Sequence, residues 1–168
     1  MWNDLRKEWS DKNIEPFSSF SSGSGKKAWW ICDKGHEWQE SICNRSSKNT
    51  RCPYCINRRA HDGNCLKTMC PLLALEWHPS KNANITPDQV VFTSHRKVWW
   101  ICSKKHEWEA EIVKRSKYNR GCPYCSNQKV CDDNSLKNKF PELALEWHPT
   151  KNNQLKPENV VYGCCKKV

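Results

Sequence analysis

Cys32, His36, Cys52 and Cys55 stand in the spacing C-x3-H-x15-C-x2-C, and Cys102, His106, Cys122 and Cys125 repeat that spacing 70 residues later. The surroundings repeat as well, with WWICDKGHEW against WWICSKKHEW and RCPYC against GCPYC. Each half-set is a close pair that one tight turn can present, and the spacer brings the two pairs together. Three thiolates and one imidazole are the donor set of a tetrahedral structural Zn2+ site. A lone C-x2-C is weak evidence, whereas eight ligands duplicated at fixed gaps are strong evidence. The duplication predicts two zinc-held units and argues against one large apolar core.

The composition agrees. Of 168 residues, 37% are hydrophobic and 27% are charged, which is thin material for a single core. Domains below about 70–80 residues usually need a staple, and structural zinc contributes an apparent ~10–16 kcal/mol in finger peptides. The metal-free chain is therefore expected to be largely unfolded. Twelve cysteines also fit a secreted disulfide scaffold, but six of them sit in metal spacing with two histidines. The segment after Met1, WNDLRKEWSD, is charged from its start rather than apolar. No run of about 20 apolar residues offers a membrane span. The expectation is an intracellular, reducing compartment, cytoplasm or nucleus with a virion also open, and no membrane partner.

The repeat is longer than the ligand set. LALEWHPSKN begins at Leu73, LALEWHPTKN at Leu143, and a shorter relative, LRKEWSDKN, at Leu5. The expected order is helix, loop, strand, ligand pair, strand, basic loop, second ligand pair, helix. KVWWIC and EWEAEIV read as two strands around the Cys102–His106 turn. The second pair reads as opening a helix with Pro123 in its first turn. Asp133, Asn134 or Ser135 is positioned to cap a short helix through Phe140, and Pro141 to start the next. The stretch 18–25, SSFSSGSG, reads as a mobile loop. The units are 1–65, 66–135 and a partial third at 136–168 that lacks metal ligands. Val168 aligns with Val98, just before a third ligand pair would begin. The partial unit is either a piece of a longer array or a cap on the second unit, since end units of repeat proteins are often atypical.

A zinc knuckle, a β-hairpin and a helix whose first turn gives the last ligands make up a treble-clef zinc finger. The fold class expected is therefore a small, metal-stabilised α+β chain of tandem treble-clef fingers linked by short helices. The run EWHP-[ST]-KN, VWWIC-x3-HEW, GCPYC is similar to a probable zinc-ribbon or treble-clef repeat family of bacterial, phage and large-virus proteins. Its members often stand in tandem and sometimes beside a nuclease-like domain. The resemblance spans nearly the whole chain and implies the same eight zinc ligands. EWSDKN in the first unit departs from it, lacking His-Pro.

The formal charge of +10 is localised. Residues 43–61 carry Arg45, Lys48, Arg51, Arg58 and Arg59 and no acid; residues 113–131 carry Lys114, Arg115, Lys117, Arg120 and Lys129 and no acid. Only Arg45/Arg115 and Arg59/Lys129 are equivalent positions. A phosphate backbone is read as charge along a path and tolerates such shifts, so DNA or RNA is the expected partner through these ten residues. The plainer reading is a pair of solvated basic loops.

Ten tryptophans mostly recur, as Trp9/Trp77/Trp147, Trp29/Trp99, Trp30/Trp100 and Trp38/Trp108. Recurrence beside metal ligands favours packing over base stacking. Tyr54 and Tyr124 are expected as surface contacts. His78 and His148 read as structural, Cys43 and Cys70 as core positions, and Cys164 and Cys165 as free thiols. Glu37 and Glu107 read as exposed strand residues. Four protein ligands close a zinc sphere to water, and no catalytic constellation or small-molecule site is visible. The chain is expected to be no enzyme. Two alternatives to nucleic-acid binding stand: an interaction repeat docking a protein through its EWHP helices, and the targeting part of a nuclease encoded elsewhere.

Overall fold

The computed structural model describes residues 2–165 and 167–168. Two compact bodies are present, residues 1–69 with 86–91, and residues 70–85 with 92–168.

In the first body β1 (Lys27–Ile31) pairs antiparallel with β2 (Glu37–Ser41), with Trp30 opposite Trp38. Alternation turns Ala28 and Trp30 inward and leaves Trp29 half-buried. A two-stranded hairpin is marginal in water, so its aromatic face must be covered. The 3-10 helix Asn3–Glu8 does this, delivering Leu5 and Trp9, with Trp9 edge-on to Trp30 at 5.3 Å. Phe17 completes the core and Phe20 packs on Trp9. The serine-rich stretch expected to be loose is thus anchored by its own phenylalanine. Trp30 is fully buried; covering such a side chain removes about 150–250 Å² from water, roughly 4–6 kcal/mol before entropy.

The second body repeats the arrangement with β3 (Lys97–Ile101) and β4 (Glu107–Glu111), Trp100 facing Trp108. Its hairpin is covered by the turn following the helix Pro71–Ala74, with Trp77 edge-on to Trp100 at 5.5 Å.

Each hairpin leads straight into a short helix, Ile42–Ser47 after β2 and Ile112–Ser116 after β4. These stretches were expected as basic loops. Each helix starts at a fully buried isoleucine, Ile42 or Ile112, which fixes its first turn, and Ile42 joins the Trp30 and Trp38 cluster. The second ligand pairs, expected to open helices, form a single turn instead. Ile56 N–H reaches Cys52 O at 3.2 Å and Ser126 N–H reaches Cys122 O at 3.1 Å. Asn57 and Asn127 then adopt positive φ and end the turn, a conformation that asparagine tolerates better than most residues.

Ser135 caps the helix Leu136–Lys139, accepting from Asn138 N–H, and Pro141 opens the helix Pro141–Leu145, as the sequence indicates. Helix Leu66–Met69 begins where Leu66 N–H reaches Val90 O. Among the described residues no helix is long and apolar enough to cross a membrane.

Candidate metal centres and basic surface

Both knuckles are built alike. Cys32 N–H donates to His36 O at 3.1 Å and Gly35 N–H to Cys32 O at 2.8 Å; Cys102 and Lys105 make the same two bonds to His106 and Cys102. The turn needs a left-handed residue, which is Gly35 at φ 77° in one copy and Lys105 at φ 67° in the other.

The four ligand atoms of each set lie within 4.8 Å of one another. A tetrahedron with Zn–S near 2.3 Å and Zn–N near 2.05 Å has edges of about 3.8 Å between sulfurs and about 3.6 Å from sulfur to nitrogen. Cys32 and Cys55 Sγ are 3.7 Å apart, and Cys102 and Cys125 Sγ 3.8 Å. The sulfurs stand 3.4–3.6 Å from His36 Nδ1 and 3.3–3.6 Å from His106 Nδ1. Both centres therefore have the size of a zinc coordination sphere, with Nδ1 facing inward.

The electrostatics call for a cation. Burial works against ionising Cys32, but the backbone N–H groups of Lys34 and His36 and the neighbouring thiols outweigh it and hold its pKa low. Cys102 is lowered in the same way, by His106 and Lys104. Desolvation and the adjacent thiols push Cys55 up to about 11 and Cys125 up to about 12. Three clustered thiolates need a divalent charge at their centre, and a coordinating metal deprotonates them outright.

Outside the ligands the two centres differ. His106 Nε2 lies 3.1 Å from Asp133 Oδ2 and 3.5 Å from Cys131 Sγ. In the first body Gly63 replaces that aspartate and His61 replaces Cys131, its ring 4.4 Å from His36. Tyr54 and Tyr124, expected at the surface, are half-buried with ring centroids 5.3 Å from the ligand histidines. Beneath each second pair lies a buried asparagine. Asn64 Nδ2 reaches Tyr54 O, Asn57 Oδ1 and Arg59 O, and its Oδ1 accepts from His61 N–H. Asn134 makes the equivalent bonds. These asparagines hold the ligand loops; sequence reasoning misses Asn64 and offers Asn134 only as a helix cap.

The ten basic residues separate into two groups. Arg45 and Arg115 are not surface residues, being only 3% and 6% exposed. Arg45 is ion-paired with Glu8 and lies over Trp30 and Trp38. Arg115 pairs with Glu76 at 2.8 Å and lies over Trp100 and Trp108 at 4.8 and 4.9 Å. Planar guanidinium suits stacking on indole. Both arginines therefore clamp the helical half of a finger onto its hairpin and are withdrawn from phosphate contact. Lys48, Arg51, Arg58 and Arg59 remain exposed in the first body, and Lys114, Lys117, Arg120 and Lys129 in the second. Lys114 is paired with Glu111; Lys48, Arg51, Arg58, Lys117, Arg120 and Lys129 have no ion pair among the described residues.

Other readings resolve as follows. His78 is buried, its Nε2 3.0 Å from Glu107 Oε1. In the first body Ser10 takes that place, donating to Glu37 at 2.8 Å. Glu37 and Glu107 are thus half-buried clasps rather than free strand residues. Cys70 is half-buried and Phe140 is 50% exposed, so that shared position is not core: it stands immediately before the helices Pro71–Ala74 and Pro141–Leu145. Cys43 is likewise only half-buried, unlike its counterpart Val113. Cys164 and Cys165 are exposed free thiols.

Two hairpin-and-helix bodies, each carrying a Cys3His centre of zinc dimensions, define a tandem zinc finger protein. Residues 5–58 and 73–128 match the probable treble-clef zinc finger domain family, and the chain belongs to it. No curated protein matches the chain. The chain binds two structural zinc ions, one per treble-clef copy.

Proposed function

We propose that the chain is a nucleic-acid-binding module that contacts phosphates through its exposed cations. The observation that carries this reading is the sorting of the basic residues. Arg45 and Arg115 are consumed inside the fold, while the other eight are exposed, and six of them (Lys48, Arg51, Arg58, Lys117, Arg120 and Lys129), all but Lys129 at positions that vary between the copies, have no ion pair among the described residues. Charge that only needs to lie along a phosphate path tolerates such variation. Base readout requires fixed side-chain geometry, and nothing in the basic windows supplies it.

Zinc in this reading is structural and the chain non-catalytic, because four protein ligands leave no position for water. Twelve cysteines, six of them zinc ligands and none in a disulfide among the described residues, suit a reducing compartment. Docking of a protein partner by the EWHP turns finds support only at the third copy, since Trp77 and His78 are spent on their own hairpin.

The test is a quadruple variant, Lys48→Glu, Arg51→Glu, Lys117→Glu and Arg120→Glu, titrated against short labelled DNA and RNA at two salt concentrations. Binding should fall at least tenfold while zinc content stays at two per chain. Wild-type log K should fall against log salt by about 0.9 per duplex phosphate engaged. Unchanged affinity in the variant refutes phosphate contact by these residues.

A further inference from the structure

We propose that the third copy of the EWHP turn, residues 143–160, is a preformed seat for another β-hairpin of this repeat's own type. The chain contains two filled versions of the seat for comparison.

In the first body Ser10 N–H donates to Trp29 O at 3.2 Å, and the Asn13 side chain exchanges two bonds with Trp29, each 2.8 Å. In the second, His78 N–H donates to Trp99 O at 3.1 Å and Ile101 N–H to Glu76 O at 2.8 Å. Asn82 gives Nδ2 to Trp99 O at 2.9 Å and accepts Trp99 N–H at 2.7 Å. The outer edge of the hairpin's first strand is thereby satisfied by a side-chain amide and a turn. A tryptophan covers the hairpin face, a glutamate takes the arginine of the following helix, and His78 or Ser10 takes the strand glutamate.

The third copy has the same internal construction. Trp147 Nε1–H donates to Leu155 O at 3.0 Å, as Trp77 does to Ile85 O at 3.0 Å. His148 Nδ1 accepts from Thr150 and Lys151 N–H, both at 3.2 Å, as His78 does from Ser80 and Lys81. Its hairpin-facing groups are open. Among the described residues, His148 N–H and Nε2, the Asn152 amide and the Glu146 carboxylate have no partner. His148 and Glu146 are exposed, whereas His78 is 5% exposed. Leu143, Glu146, Trp147, His148 and Asn152 wall an open cavity of about 250 Å³, with Leu136 and Val168 at its border.

The open groups specify their occupant. Asn152 needs a strand edge offering one N–H and one C=O; Trp147 needs an indole next in line. His148 needs a carboxylate and Glu146 a guanidinium. Trp99, Trp100, Glu107 and Arg115 meet that list in one finger, and Trp29, Trp30, Glu37 and Arg45 in the other, with Ser10 in place of the histidine. Both hairpins are already engaged, so the occupant is a further hairpin of the same chemistry. Because the turn holds its bound shape, little ordering entropy opposes docking.

The test appends a second copy of residues 99–135 directly after Val168, which aligns with Val98. Zinc per chain and zinc loss to a chelator are measured with and without the pair Glu146→Gln and Asn152→Ala. The seat predicts three zincs, the third lost at least tenfold faster in the double variant, with the other two unchanged. In the unextended chain the double variant should change neither zinc content nor release. A third finger that takes no zinc, or that holds it equally well without Glu146 and Asn152, overturns the proposal.

Discussion

Replacing Asn82 by alanine removes the one side chain that, among the described residues, both donates to and accepts from the edge of β3. Two bonds are lost, at 2.7 and 2.9 Å, each worth about 0.5–1.5 kcal/mol net. Trp99 N–H then loses its partner where a buried amide stood, while Trp99 O keeps His78 N–H at 3.1 Å. Leaving such a group unsatisfied costs about 1–3 kcal/mol, reduced here because Trp99 is half-buried and water can reach its edge. The expected loss is about 2–3 kcal/mol. Asn13→Ala should cost about the same in the first body, where the bonds to Trp29 are both 2.8 Å. Asn152→Ala, with no strand to hold, should stay within about 0.5 kcal/mol. The assay is urea unfolding followed by tryptophan fluorescence at one fixed free-zinc concentration, since bound ligand shifts apparent stability. With an m value of about 1–2 kcal/mol/M, the Asn82→Ala midpoint should fall by about 1–3 M. Loss below about 0.5 kcal/mol for Asn82→Ala, or equal losses at Asn82 and Asn152, refutes the claim that this amide secures the hairpin edge.

Three further outcomes follow from the geometry. Asp133→Ala should weaken zinc at the second centre about tenfold or more, because the carboxylate that orients His106 is lost. The first centre, with Gly63 at that place, should not change in the same chelator competition. Gly35→Lys should cost about 1 kcal/mol in urea unfolding, since an added Cβ meets nothing within 4 Å and only the left-handed backbone resists it. Arg45→Lys and Arg115→Lys should each lower stability by about 1–2 kcal/mol by losing the indole stacking. Both should leave the nucleic-acid affinity of folded, zinc-loaded protein unchanged; lost affinity at full zinc occupancy would return these residues to the binding surface.

The metal ligands were legible because coordination fixes residue type and spacing together. The hairpins were legible because Trp30, Trp38 and their copies must alternate inward. The helices after β2 and β4 were not, since charge dominated the stretch and hid the one buried isoleucine that begins each. Arg45 and Arg115 were misread for a related reason: counting cations does not reveal which one faces indole. A signal was present nonetheless. These two keep their place relative to the ligands while most of the other basic residues shift, and fixed position implies fixed geometry. Asn64 and Asn134 carry no composition signal at all, because their role depends on carbonyls that converge only after the ligand loop has closed. Ser10 shows the reverse case, a departure from the repeat that preserves the hydrogen bond to the strand glutamate.

The most direct test of two Cys3His zinc fingers is zinc X-ray absorption on the purified chain, with metal content measured on the same sample. The account predicts two zincs per chain, each with about three sulfurs near 2.3 Å and one nitrogen near 2.0–2.1 Å. Fewer than two zincs, or a shell of mixed oxygen and nitrogen donors, would contradict it.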